Sequence, residues 1–117
     1  MNVQLLVVPD CANEAAARDL LTRALSDLGL ADVNVGTRMI GSPELAAELR
    51  FLGSPTFLIN GWDPFGEPDR VPGLTCRVYR GPDGALSGLP EIRELRQALR
   101  QAAAQAEDAR TNPSRPA

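Results

Sequence analysis

At 117 residues the chain forms one domain, long enough to bury roughly two thirds of its unfolded surface. A net charge of −3 argues against nucleic acid or an anionic membrane surface as partner. All 12 positive charges are arginine and histidine is absent, which excludes a lysine Schiff base, a Ser-His-Asp triad and a histidine metal site.

Val3 to Val8 (VQLLVV) is almost continuously apolar, the pattern of a central strand covered on both faces. Pro9 and Asp10 end it and Cys11 follows. From Asn13 the period changes to that of a helix: Ala17, Leu20, Leu21, Ala24, Leu25 and Leu28 form one stripe, with Gly29 as the stop. Asp32–Met39 alternates apolar Val33, Val35 and Met39 with polar neighbours and predicts a half-buried strand. Strand, helix and strand with short connections predict a right-handed unit with parallel strands. Ser42-Pro43-Glu44 is a helix start, with an N-cap serine, proline at the first position and an acid in the first turn. Leu45, Leu49 and Leu52 supply its buried stripe.

Gly53 suits the position past a helix end, where φ is positive. Pro55 stops the helix and biases Ser54 towards an extended conformation, and an X-Pro bond such as Ser54-Pro55 is the one kind in which a cis peptide is cheap. Thr56–Ile59 is the following strand. Asn60-Gly61 signals a turn, but Asn60–Gly73, with three prolines and three glycines, predicts a long connection and not a tight hairpin. Leu74–Arg80 (LTCRVYR) regains strand character, Gly81-Pro82-Asp83-Gly84 is a turn, and Ile92, Leu95, Leu99 and Ala102 mark a last helix beginning near Pro90. Residues 1–106 are the expected domain; from Glu107 the tail lacks apolar pattern and is expected to be disordered. No segment approaches the apolar length of a membrane span. The N-terminus lacks signal-peptide features, so a cytoplasmic location with reduced cysteines is expected.

The order β-α-β-α-β-β-α predicts an α/β fold. Cys11 is the candidate nucleophile: in a helix's first turn it would face free N–H groups and the positive end of the dipole. Glu14 lies one turn on and could relay a proton to the thiol. Cys76 is the other thiol, read as a core strand residue alternating with Arg77 and Tyr79. A hairpin with Thr56–Ile59 would set it far from Cys11, whereas a returning 60–73 connection would bring it back. Trp62 and Phe65 in that connection either cover an apolar ligand or cap the core edge. Arg77 and Arg80 read by default as solvated strand arginines, with anion binding the alternative.

PDCANE after the first strand, RFLGSPT, the NG…DPF connection, LTCRVYR and the LSGLP helix together resemble a group of small bacterial thioredoxin-like proteins, also labelled alkylmercury lyase-like. The resemblance covers about residues 2–100. It differs at Ala12, where such proteins usually carry proline, and the motif Cys11-Ala12-Asn13-Glu14 lacks the resolving cysteine of a dithiol reductase. It implies a thioredoxin-like fold, with a mixed four-stranded sheet, helices on both faces and a third strand antiparallel to the first that makes Pro55 and Cys11 neighbours. It implies a cis-Pro55 beside Cys11, and Ser54, Pro55 and Thr56 as substrate-binding residues. It also implies thiol-disulfide or soft-metal chemistry without a cofactor, on a small-molecule thiol, an organomercurial or a protein disulfide. In the lyase pattern Cys11, Glu14 and Cys76 would be catalytic, with Cys11 and Cys76 holding mercury. A non-catalytic module binding a partner through the Trp62/Phe65 loop is the third expectation.

Overall fold

The apolar run of the first strand, β1 (Val3–Val7), lies at the centre of a three-stranded sheet of order β2-β1-β3 in the computed structural model. The structure describes residues 1–111. β1 is followed by α1 (Glu14–Asp27), β2 (Val35–Met39), α2 (Pro43–Glu48) and β3 (Thr56–Ile59). Then come β4 (Tyr79–Arg80), β5 (Leu86–Ser87) and α3 (Ile92–Thr111). The sheet is mixed: β1 runs parallel to β2 with Leu5 opposite Thr37, and antiparallel to β3 with Leu5 opposite Phe57.

Alternation along β1 divides the core. Val3, Leu5 and Val7 point to a cluster with Leu21 and Leu25 of α1, Phe57 of β3, and Leu95 and Leu99 of α3. Leu6 points the other way, to Ile40, Ala46 of α2 and Phe51. The α1 stripe read from the sequence is the buried face of that helix at Ala17, Leu21, Ala24 and Leu25. In α2 the Ser42 hydroxyl accepts from Leu45 N–H at 3.2 Å, with Pro43 at the first position.

Several elements depart from the sequence reading. β2 is largely exposed, Met39 to 54%; α1 packs on β1 and α3 on β3, and neither reaches this edge strand. The expected fourth strand is not in the sheet. Of Leu74–Arg80 only Tyr79–Arg80 forms a ladder, and it pairs with Leu86–Ser87 across the Gly81–Ala85 turn as a separate two-stranded sheet. Asn60-Gly61 does make a tight two-residue turn, with φ of 56° and 78°, and Ile59 and Trp62 exchange backbone bonds of 2.8 and 3.1 Å across it. Only after Trp62 does the chain leave the hairpin path. The segment expected as tail is helical from Glu107 to Thr111, and its remainder, 112–117, lies outside the described residues.

Candidate functional site

The antiparallel register of β1 and β3 brings the C-terminal end of β1 beside the N-terminal end of β3. The last ladder pair is Leu6 with Thr56. One step further, Val8 N–H donates to the Ser54 hydroxyl at 3.0 Å. The turn carrying Cys11 and the Ser54–Pro55 peptide, which is cis, therefore belong to the same end of the sheet.

Cys11 is half-buried and packs against the larger apolar cluster. It does not lie in the first turn of α1, as the sequence reading placed it. Asp10 adopts a φ of 59°, and the Cys11 carbonyl accepts from Glu14 N–H at 3.3 Å, so Cys11 occupies the turn ahead of the helix. The helix begins where the periodic stripe begins, and Asn13 takes the N-cap position without a side-chain hydrogen bond. Glu14 is the first helical residue, and its carboxylate pairs with Arg18 at 3.4 Å on the surface.

Cys76 also comes to this end. It forms an isolated parallel bridge with Ser54: Ser54 N–H donates to the Thr75 carbonyl at 2.8 Å, and Arg77 N–H donates to the Ser54 carbonyl at 2.9 Å. Of the two courses the sequence left open, the 60–73 connection takes the one that returns the chain. Ser54 is thus flanked by Val8 on one side and Cys76 on the other. Both cysteines are free thiols, and Cys76 is exposed.

The phase of this segment is the reverse of the one read from the sequence. Cys76 faces solvent while Arg77 and Tyr79 are buried, at 2% and 5% exposure. The Arg77 guanidinium pairs with Asp63 at 2.7 Å, donates to the Phe65 carbonyl at 2.6 Å and the Thr56 hydroxyl at 3.1 Å, and lies 4.7 Å from the centre of the Tyr79 ring. It ties the connection to β3. Gly53 belongs to the same arrangement: its φ is 131°, and a Cβ there would come within 3.0 Å of Arg77 Cα. Thr56, expected to bind substrate, is buried and donates to the Gly53 carbonyl at 2.6 Å.

Tyr79 donates its hydroxyl hydrogen to the Pro55 carbonyl, which ties β4 to the segment entering β3. Burial pushes the Tyr79 phenol well above its ordinary pKa, and the Arg77 charge opposes this only in part. The sequence reading took Arg77 for a solvated strand arginine, whereas it is buried, and gave no role to Asp63 or Tyr79. The signal available was phase: Arg77 and Tyr79 are two apart, so an aromatic core residue brings the arginine to its own side.

Trp62 and Phe65 part company. Phe65 packs edge-on against Tyr79 and Phe57, with ring centres 5.4 and 6.4 Å away, and caps the core. Trp62 is 59% exposed and lines an open groove of about 410 Å³ with Leu49, Leu52, Leu58, Pro64 and Pro68. Arg80 is exposed. Among the described residues no three Cys, Asp or Glu side chains come together as a metal site, and no helix is long and apolar enough to cross a membrane.

Comparison with family models, curated proteins and solved structures finds no match. The fold defines a compact α/β protein with a mixed three-stranded sheet, a small second sheet and three helices among the described residues.

Proposed function

We propose that the chain is a thioredoxin-like thiol protein in which Cys11 is the nucleophile or soft-metal ligand and Pro55 shapes the site. The observation that carries this reading is the meeting of the Cys11 turn, Ser54-Pro55 and Cys76 at one end of the sheet, through the 3.0 Å bond from Val8 N–H to the Ser54 hydroxyl. The β-α-β-α-β order with a central β1, a parallel β2 and an antiparallel β3 supports the finer fold assignment. In disulfide exchange the Cys11 thiolate attacks one sulfur of R–S–S–R′, forming Cys11–S–S–R and releasing R′–S⁻, which takes up a proton; a small thiolate R″–S⁻ then attacks the R sulfur, forming R–S–S–R″ and releasing the Cys11 thiolate.

The substrate class is narrowed by Ser54. Its backbone N–H and C=O are the groups an extended polypeptide would use for strand addition, and residues 75–77 already hold them. Small thiols, small disulfides and soft metal species fit this site better than a protein disulfide. Cleavage of a carbon–mercury bond would further need Glu14 between two thiols, and the Glu14 carboxylate is turned to Arg18.

The test is mapping of thiol alkylation in the native protein. Cys11 should react faster than Cys76 although it is the less exposed of the two; labelling of Cys11 that begins only on unfolding removes the proposal. The exposed Trp62 over its groove favours a second reading, a binding module. That reading expects Trp62→Ala to abolish partner binding while Cys11→Ser with Cys76→Ser leaves it intact.

A further inference from the structure

β2 is the outer strand of the sheet, with β1 its neighbour. Ile40 N–H donates to the Val7 carbonyl at 2.7 Å, and Arg38 lies opposite Leu6 in the parallel ladder. That fixes which backbone groups face which way. Gly36, Arg38 and Ile40 turn their N–H and C=O towards β1, while Val35, Thr37 and Met39 turn theirs outward. Among the described residues no turn or loop hydrogen bond takes these outward groups. The edge carries no proline and a single charge, Arg38, and it is exposed from Gly36 to Met39. Proteins normally blunt or cover such an edge.

The strand is complementary to itself. Placed antiparallel about a two-fold axis through Thr37, each outward residue meets an outward residue: Thr37 meets Thr37 of the second copy, and Val35 meets Met39. Every such pair exchanges both of its backbone bonds. The facing threonines and the Val35–Met39 contacts are favourable cross-strand pairs, and the 54% exposed Met39 gains an apolar neighbour. Arg38 falls opposite Gly36, which has no side chain to obstruct it; even a Cβ at Gly36 would meet nothing nearer than Gln4 Cγ at 3.8 Å. Other symmetric registers are poorer. Centring on Arg38 sets that charge against its own copy, and centring on Gly36 carries Met39 past the end of the partner strand. We propose that β2 is the seam of a homodimer, in which two copies join their sheets antiparallel about Thr37.

Sedimentation equilibrium of the full chain tests this. The wild type should pass from monomer to twice the monomer mass as concentration rises, and the Thr37 amide should gain hydrogen-exchange protection over the same range. Thr37→Pro removes an outward N–H and no bond to β1. Thr37→Asp sets two carboxylates face to face. Both variants should remain monomeric with unchanged far-UV circular dichroism; if one fails to fold, the other decides. A wild type that stays monomeric at every concentration overturns the proposal, even if it binds an extended peptide at this edge. A dimer that survives in a folded variant also overturns it.

Discussion

The two halves of the molecule are held together by different physics. From β1 to β3 the chain is fastened by apolar burial spread over many residues, with Leu5, Leu21, Ile40 and Phe57 all at 0% exposure. From Trp62 to Tyr79 the connection contributes few buried apolar side chains; beyond its backbone bonds to Phe51 and Ser54 and the Phe65–Tyr79 packing, its charged anchor is one guanidinium, which reaches Asp63, Phe65 and Thr56 at once. This second half also delivers Cys76 and Tyr79 to the candidate site.

Arg77→Ala should have the largest effect, because it leaves the Asp63 carboxylate partly buried without its cation. Breaking such a pair costs about 3–5 kcal/mol. The loss should be uneven: limited proteolysis should cut within 61–73 while hydrogen exchange in β1 stays slow. Leu21→Ala, at about 2–5 kcal/mol, should lower protection throughout instead. A variant Arg77→Ala that loosens β1 and the connection equally would erase the contrast.

This contrast also marks what the sequence disclosed. Periodicity exposes spread apolar burial, so β1, the α1 stripe and the Ser42-Pro43 helix start were legible. The antiparallel β1–β3 pairing that brings the Cys11 turn and Ser54 to one end of the sheet was expected from the fold the resemblance implies, not from periodicity. An ionic anchor has no periodicity. Arg77 looks like any solvated strand arginine, and reading Cys76 as the inward residue reversed the segment, since a one-residue shift exchanges the faces of a strand. The β2 alternation was misleading for another reason: it shows that one face has apolar residues, but not whether a helix arrives to cover them.

Tyr79→Phe should have an intermediate effect, about 1–3 kcal/mol, because the buried Pro55 carbonyl loses its donor. Its pH dependence follows from the raised phenol pKa. The folded state favours the neutral phenol, so that stabilisation is complete below about pH 10, the ordinary tyrosine value, and is lost as pH rises above it. Urea titrations between neutral and strongly alkaline pH should show this decline in the wild type and a smaller one in Tyr79→Phe. An unchanged alkaline slope would mean that another group sets it.

Asp27→Asn removes the 2.9 Å pair with Arg96 that links α1 to α3. Both side chains are substantially solvated, so the cost should be below about 1 kcal/mol and smaller still at high salt. A larger loss in chemical denaturation would show that polar surface contacts also hold the apolar half.

The central claim is that Cys11, set between β1 and α1 at the same end of the sheet as Ser54-Pro55, is a working thiol, and the two cysteines serve as each other's control. Native protein treated with iodoacetamide at several times, quenched and mapped by mass spectrometry, gives both rates in one sample. The account predicts faster modification of half-buried Cys11 than of exposed Cys76, an order that accessibility alone would reverse. Modification of Cys76 first, with Cys11 reacting only in denaturant, would contradict it.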